Sequence, residues 1–447
     1  MSAGDRGLVS GAPLYTTTWQ SYRQGHGQRR FTVRRLREGL DQLGSVDLWM
    51  AIAASAIAIL MLVAASEAQA QTFTILHTFS GPDGDNPEAG LTMDQAGNLY
   101  GTAYGGGNYS GVCQGVGCGV VFKMTRHGSE WILNPLYKFS GQDGSNPAAR
   151  VLFGPDGNLY GTTLSGGASN FGVVFRLQPP PTACKAVLCP WTETVLHSFT
   201  GAPDGANPAY GDLNFDQADN VYGTAESGGN TAGYCQDSGG CGVVFELSRS
   251  GGQWTENILH TFQWSDGAYP YGGVIFDSSG NIYGTASSGG SSGYGVAYEL
   301  TPSGSGWTET VLHNFDAIGS VEGGIVYGGL IADSSGNLYG TTSEGGLYGG
   351  GSAYELSPSD GGWALSVLYG FDAYQGSLAK LAMDSAGNLY GTIFIGAPEV
   401  FRLTPSDGQW ALTGFNGSAG DYPYGNMILD SAGNLYGTAD VVFEITP

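Results

Sequence analysis

The side chains best suited to chemistry interrupt an internal repeat. Seven variants of one motif, FDSSGNIYGT (276–285), run through the sequence, and the residue four positions before the leading Asp, or before Gly154 in the second copy, differs between copies. Three copies have glycine at this position, and the other four have the polar residues Arg150, Asp212, Lys380 and Asn426. The assignment of Asp212 depends on where a one-residue insertion is placed in the third copy. Charged and amide groups bind ligands through charge-assisted hydrogen bonds. We therefore expect a binding site if these positions converge, and the alternative is a set of solvated rim residues.

Aromatic residues occupy the same loops. They are Tyr210, Tyr271, Tyr327 and Tyr424, together with Trp264, which stands where two other copies have glycine. Flat rings beside polar groups suit the C–H faces of sugars, and they also suit packing between repeat units. We favour packing for the tyrosines and ligand contact for Trp264, because Trp264 departs from the repeat.

No residue stands out as catalytic. Four aspartates recur in a loop feature, DGxNP or a close variant, that turn formation explains: Asp83, Asp143, Asp204 and Asp266. Four histidines share one repeat position: His77, His197, His260 and His313. Equivalent positions in separate units lie far apart, so we expect no metal site or catalytic pair from them. The DxxGN turn lacks the alternating acids of a calcium loop, and nucleophile-elbow, zinc and phosphate-loop motifs are missing from the sequence. We expect no cofactor.

The six cysteines form three close pairs, which are Cys113 with Cys118, Cys184 with Cys189, and Cys235 with Cys241. In an exported protein such pairs predict local disulfides that pin loops. Zinc is the alternative, but the spacings differ from those of a zinc knuckle and no histidine lies nearby. We expect disulfides.

The repeat predicts the elements that position these residues. The motif tyrosines, from Tyr100 to Tyr436, are 60, 62, 61, 56, 51 and 46 residues apart, a period typical of propeller blades or solenoid units. One period contains four strand-like segments separated by Gly, Pro, Asn and Asp: 272–277, 282–287, 295–300 and 307–315. Four antiparallel strands are the composition of one propeller blade.

The two ends of the repeat region complement each other. Thr72–Phe79 matches strand four of the repeat and Val441–Pro447 matches strand three, so the N-terminal strand completes the last blade. Such pairing removes exposed sheet edges, whereas a solenoid would leave a spare strand and need caps. The sequence therefore predicts an all-β, seven-bladed β-propeller over residues 71–447, with four antiparallel strands in each blade.

Residues 1–70 differ in kind from the rest. A basic stretch (29–40), an apolar run (48–65) and small residues at Ala68 and Ala70 predict a secretory signal cleaved after Ala70, with an uncleaved signal anchor as the alternative. Residues 71–447 then carry nine Lys and Arg against 34 Asp and Glu, a net charge of about −25. This acidity disfavours nucleic acid and anionic lipid. We expect a secreted or cell-surface monomer with no membrane contact beyond the N-terminal segment.

The blocks GNLYGT, GVVFEL and ETVLHSF, with DGANP (204–208) between copies, resemble the GloVer tandem repeat of choice-of-anchor bacterial proteins over residues 72–447. The resemblance implies export, commonly with a surface-anchoring segment, and it implies no established activity and no catalytic residue. Two functions stay open. We favour a non-catalytic binding module for a glycan or surface protein; a polysaccharide hydrolase or lyase, or a lactonase-like hydrolase, would need paired carboxylates or a metal from different blades.

Overall fold

The computed structural model describes residues 71–181, 191–208, 210–236, 239–304, 306–316, 319–373, 375–393, 400–415 and 425–446. Ala70–Pro447 forms one compact unit. The described residues contain seven sheets of four antiparallel strands, one short two-stranded sheet and no α-helix. It follows that no helix in this part of the chain has the length and apolar character to cross a bilayer.

Each four-stranded sheet is one blade of a β-propeller, which confirms the predicted fold. Blades 1 to 4 consist of Thr92–Met93, Leu99–Ala103, Val120–His127 and Glu130–Lys138; Leu152–Phe153, Leu159–Thr163, Val173–Gln178 and Thr192–Ser198; Asn214–Phe215, Val221–Ala225, Val243–Ser250 and Gln253–Thr261; and Ile275–Phe276, Ile282–Ala286, Val296–Ser303 and Gly306–Asn314. Blades 5 to 7 consist of Ile331–Ala332, Leu338–Thr341, Gly349–Ser359 and Gly362–Asp372; Ala382–Met383, Leu389–Thr392, Val400–Ser406 and Gln409–Phe415; and Ile428–Leu429, Leu435–Thr438, Val441–Thr446 and Thr72–Thr78. The short sheet pairs Gly205–Ala206 with Ser227–Gly228.

Blade 7 is built from both ends of the propeller. The closing strand Thr72–Thr78 pairs antiparallel with Val441–Thr446, so that Thr72 lies opposite Thr446 and Thr78 opposite Val441. The Phe73 ring stacks on Phe443 with ring centroids 5.1 Å apart. The ring of blades therefore closes through hydrogen bonds between segments that are far apart in sequence.

The repeated motif is a side-chain-capped turn. In blade 4, Asp277 Oδ1 accepts the backbone N–H groups of Ser279 and Asn281 at 2.8 Å each. Asp277 Oδ2 accepts hydrogen bonds from the Asn281 amide at 2.9 Å and from the Tyr283 hydroxyl at 3.3 Å. Gly280 has a φ of +86°, a conformation that favours glycine. One aspartate thus joins the first strand, the turn and the second strand.

The glycine after the motif tyrosine leaves room for the blade core. Strand three of each blade contributes one buried aromatic ring: Phe122, Phe175, Phe245, Tyr298, Tyr354, Phe401 or Phe443. A Cβ on Gly101 would lie 2.6 Å from Phe122, and one on Gly284 would lie 2.3 Å from Tyr298. Glycine is needed here because no real Cβ makes contacts this short.

The first strand of each blade is shorter than the sequence predicts. Residues 272–277 were expected to pair throughout, but only Ile275–Phe276 does so. Gly272 and Gly273 instead run against neighbouring blades, where added Cβ atoms would lie 2.7 Å from Gly329 Cα and 2.3 Å from the Asp212 carbonyl oxygen. This stretch therefore lines the central channel without strand pairing.

Two of the predicted disulfides are present. Cys113 is bonded to Cys118 and Cys235 to Cys241, with Cα atoms 4.9 Å apart in both pairs. The third predicted pair, Cys184 with Cys189, lies outside the described residues. Disulfides are typical of exported proteins.

Candidate functional site

Seven blades contribute to one cavity at the mouth of the central channel. Its volume is about 250 Å³. The lining includes, from every blade, the residue four positions before the motif aspartate or its counterpart Gly154. We call these seven residues the inner ring: Gly90, Arg150, Asp212, Gly273, Gly329, Lys380 and Asn426. The structure therefore brings together all four polar residues that the sequence singled out.

The polar members of the inner ring are joined by hydrogen bonds. Arg150 Nη2 donates to Asp212 Oδ2 at 2.8 Å. Asn426 Nδ2 reaches the same oxygen at 3.3 Å, and Asn426 Oδ1 accepts the backbone N–H of Lys380 at 2.8 Å. These residues come from blades 2, 3, 6 and 7, so the network spans the channel. Asp212 is only 6% exposed, which places the network at the cavity floor.

A second ring of residues forms the rim. Two residues before each inner-ring position stand Glu88, Ala148, Tyr210, Tyr271, Tyr327 and Leu378, all of which line the cavity. The seventh member, Tyr424, lies outside the described residues. The tyrosines are among the residues predicted from the sequence, whereas Glu88 and Leu378 are not, although both stand at the same two-residue offset from the inner ring.

The three described tyrosines follow one another along adjacent blades. Tyr210 and Tyr271 have ring centroids 6.0 Å apart, and Tyr271 and Tyr327 have theirs 5.1 Å apart. The Tyr210 hydroxyl donates to Glu88 Oε2 at 3.3 Å. The rings pack on each other, as the sequence analysis favoured, and they also present an aromatic arc to the cavity. Packing and ligand contact are therefore compatible.

Burial shifts the ionisation of groups in and beside the cavity. It lowers the pKa of Lys380, a shift that Asp212 opposes and Arg150 reinforces. It raises the pKa of Glu88, against the hydrogen bond from Tyr210, and it raises the pKa of Glu226 to about 7, against a hydrogen bond from Tyr271. Each of these groups is held where its charged form is less stable than in water.

Two buried atoms of the inner ring have no hydrogen-bond partner within the described part of the chain. They are Arg150 Nε and Asp212 Oδ1. One is a donor and the other an acceptor. Buried polar atoms are normally satisfied, and an unpaired one is costly. Both atoms are almost fully shielded from solvent, so the Arg150–Asp212 ion pair is held in place with part of its hydrogen-bonding capacity unused.

Trp264 does not line this cavity. Its ring stacks on Tyr234, with centroids 5.4 Å apart and planes 30° apart, and it meets Tyr269 edge-on at 6.2 Å. Trp264 therefore lies outside the cavity that Arg150 and Lys380 line.

The histidines and loop aspartates form contacts that the sequence analysis overlooked. The Nε2 to carboxylate distances are 2.9 Å for His77 and Asp83, 3.4 Å for His197 and Asp204, and 3.3 Å for His260 and Asp266. In blade 1 a tyrosine replaces the histidine, and Tyr137 donates to Asp143 at 2.6 Å. These contacts are indicated in the sequence by a spacing of six or seven residues between the histidine or tyrosine and the aspartate, which recurs from copy to copy.

One of these pairs is joined by a glutamate of the next blade. His197, Asp204 and Glu256 each have one potential metal-ligand atom, and these three atoms lie within 4.8 Å of one another. Burial, with a smaller contribution from Asp204, raises the pKa of Glu256 to about 9. Glu256 therefore carries the proton that lets two carboxyl groups lie together at neutral pH.

Glu309 makes the contact between blades 3 and 4 dependent on pH. Burial raises its pKa from 4.5 to about 7, with His260 opposing and Asp266 adding to the shift. A carboxyl group with a raised folded-state pKa stabilises the fold below its unfolded pKa, and that stabilisation is lost as the pH rises through about 7. Glu309→Gln should therefore raise the free energy of unfolding at pH 8.5 by about 1–2 kcal/mol, a discounted value because the side chain is partly exposed.

Urea unfolding at pH 5 and pH 8.5 checks this expectation. The matched control is Glu130→Gln, at the exposed start of strand four in blade 1. An equal gain for Glu309→Gln at both pH values would contradict the assignment.

The protein is a closed β-propeller with seven four-stranded blades, in which the N-terminal strand completes the last blade. It has a polar cavity at the channel mouth, where propellers of this kind can hold a ligand. Within this class, the chain belongs to the Gloeobacter/Verrucomicrobia repeat family, whose sequence profile matches residues 62–235 and 231–441. This confirms the GloVer resemblance. No curated protein sequence matches the chain.

Solved structures share the fold at low sequence identity. A streptogramin B lyase structure has a TM-score of 0.53 at 12% identity, over 84% of this chain and 97% of that one. The extracellular domain of a putative one component system from B. thetaiotaomicron has a TM-score of 0.50 at 12% identity, over 84% of this chain and 40% of that one. A chain of the mitotic checkpoint complex has a TM-score of 0.50 at 12% identity, over 83% and 93%. These likenesses show the fold alone.

Proposed function

We propose that this protein is an exported binding protein whose channel-mouth cavity holds a sugar unit of a glycan. The observation that carries the proposal is the convergence of Arg150, Asp212, Lys380 and Asn426 in one cavity. The same repeat position holds glycine in the other three blades, so the fold does not require a polar side chain there. Export is supported by the two disulfides and by the signal-like N-terminal sequence.

The size of the cavity favours a small polar ligand over a protein surface. About 250 Å³ lies just below the roughly 300–1,000 Å³ of typical small-molecule pockets. A protein partner would instead need a contact of roughly 800 Å² on each side. A single sugar unit suits a space of this size.

The chemistry of the lining matches a sugar. Arg150, Lys380 and Asn426 line the cavity with groups that can donate to or accept from hydroxyls, and each sugar hydroxyl both donates and accepts. The arc of Tyr210, Tyr271 and Tyr327 offers ring faces and hydroxyl groups for the apolar and polar sides of the same ring. Donor, acceptor and aromatic surface are thus present together.

A glycan array followed by calorimetry with the best ligand tests the proposal. Lys380→Met should weaken binding by about ten- to a hundredfold, the range for a central contact residue. Lys138→Met is the matched control, since Lys138 is an exposed lysine on strand four of blade 1. Equal losses for the two variants would contradict the proposed site.

Two other results would contradict the proposal as a whole. One is cleavage of a polysaccharide or opening of a lactone by the purified protein, which would favour the enzyme alternative. The other is capture of a surface protein whose binding survives Lys380→Met, with no glycan retained on the array.

A further inference from the structure

Two disulfide loops of the propeller are copies of one another. In blade 1 the loop between the second and third strands contains the 3-10 turn Gly111–Cys113, and in blade 3 it contains Gly233–Cys235. Both disulfides hold their Cα atoms 4.9 Å apart. The backbone N–H of Cys118 donates to Asn108 at 3.2 Å, and that of Cys241 donates to Asn230 at 3.1 Å. The two loops therefore share one scaffold.

The middle residue of each turn points into solvent. Val112 is 81% exposed in the blade 1 loop and Tyr234 is 76% exposed in the blade 3 loop. Each side chain lies over the first residue of the tight turn that leads to the next blade. In blade 1 that residue is Gly141, where an added Cβ would lie 2.3 Å from Val112 Cγ2. In blade 3 it is Trp264, which stacks on Tyr234.

The two tight turns are also equivalent. Gly141 and Gly144 exchange backbone hydrogen bonds of 3.1 and 3.3 Å, and Trp264 and Gly267 exchange bonds of the same lengths. Where blade 1 has Val112 lying over Gly141, blade 3 has Tyr234 lying over Trp264. The blade 1 copy shows that the scaffold forms without either aromatic ring.

The aromatic pair has two unfavourable features, although Trp264 also packs against the core of blades 3 and 4. Trp264 has a φ of +68°, whereas Gly141 has +98° at the same place, and the left-handed conformation costs a non-glycine residue roughly 1–2 kcal/mol. Tyr234 in addition leaves most of its ring in water. Backbone strain beside a largely exposed aromatic ring is a reason to look for a function.

We propose that Tyr234, backed by Trp264, is a second binding platform, separate from the channel-mouth cavity, for an uncharged sugar ring. Trp264 covers one face of Tyr234 and leaves the other open to solvent. The adjacent Cys235–Cys241 disulfide fixes the loop, so little side-chain or loop freedom is lost on binding. The platform is thus rigid before the ligand arrives.

The surroundings favour a neutral sugar. Asn230 Nδ2 donates to Gln263 Oε1 at 3.0 Å, which joins the two loops through amide groups that can also bond to hydroxyls. Among the described residues, the cation–π contacts involve Tyr100 and Trp254 and neither ring of the platform. With a net charge of −23 on the chain, an acidic sugar would be repelled.

The test converts the blade 3 loop into the blade 1 loop. The double variant Tyr234→Val, Trp264→Gly is made in the full chain, and cellohexaose, xylohexaose and chitohexaose are titrated by calorimetry. At least one sugar should bind the unaltered protein and protect Tyr234 from nitration in peptide mapping. The double variant should lose about ten- to a hundredfold in affinity. Its melting temperature should fall only modestly, because relief of the strain at position 264 partly offsets the lost packing of Trp264 against the core of blades 3 and 4.

Val112→Ala is the matched control, since it truncates the exposed residue of the blade 1 loop and should leave affinity unchanged. Three results would overturn the platform. They are equal affinity in the double variant, nitration of Tyr234 that no hexasaccharide reduces at its highest soluble concentration, and protection of Tyr234 by a proline-rich peptide but by no sugar.

Discussion

Deletion of residues 71–80 should open the ring and lower the free energy of unfolding by at least about 5 kcal/mol. The deletion removes every hydrogen bond between Thr72–Thr78 and Val441–Thr446. It also removes Phe73, Leu76 and Phe79, which pack against the cores of blades 7 and 1. Loss of one large buried side chain costs about 2–5 kcal/mol, and the exposed edge of Val441–Thr446 would favour aggregation. Thermal and urea unfolding of the deleted and full chains measure the effect.

Two neighbouring residues of the closing strand provide the control. Leu76 packs against the core of blade 1, whereas Ile75 is 52% exposed. Leu76→Asp should destabilise the protein by about 2–4 kcal/mol because it buries a carboxylate without a partner, and Ile75→Asp should have little effect. Similar losses for the two variants, or an unchanged melting curve after the deletion, would show that closure does not hold the ring together.

Asp212→Asn should lower the free energy of unfolding by about 2–3 kcal/mol. The substitution keeps the shape of the side chain but removes the only inner-ring carboxylate, which leaves Arg150 and Lys380 facing each other across the cavity floor. Breaking a buried ion pair costs roughly 3–5 kcal/mol, and the expected loss is smaller because the Arg150 side chain keeps 22% of its exposure. Glycan binding at the cavity should be lost as well.

Removal of both charges separates charge loss from packing loss. The double variant Arg150→Met, Asp212→Leu leaves no unpaired member of the pair, so it should be more stable than Asp212→Asn. Urea unfolding at pH 7 compares them. A double variant less stable than the single one would indicate that the polar network stabilises the fold by its geometry and not by charge pairing.

The fold was predictable because each copy of the repeat corresponds to one four-stranded blade. Seven copies of a capped turn such as that at Asp277 predicted seven blades, and the match between Thr72–Phe79 and strand four predicted the closure. The short first strand was not predictable from one copy. Its pairing is prevented by backbone contacts with other blades, as at Gly273, and such contacts appear only once all blades are in place.

The site was predictable in part. Departures from glycine at one repeat position located Arg150 and Lys380, and symmetry required those positions to meet at the axis. The stacking of Tyr234 on Trp264 could not be read in the same way. The two residues belong to different loops, and their contact is set by the three-dimensional arrangement of those loops, which the repeat pattern does not specify.

The closing strand has a consequence for the order of events during synthesis. Thr72–Thr78 leaves the ribosome early, and its partner Val441–Thr446 follows only after the chain between them, which takes roughly 20 to 75 s at about 5–20 residues per second. Throughout that time the ring cannot close, and Thr72–Thr78 stays without its partner strand. A product interrupted before Val441 never closes and keeps an open sheet edge, which exposes it to proteases and to aggregation. The ring therefore closes only when the chain has been synthesised through its last strand, Val441–Thr446.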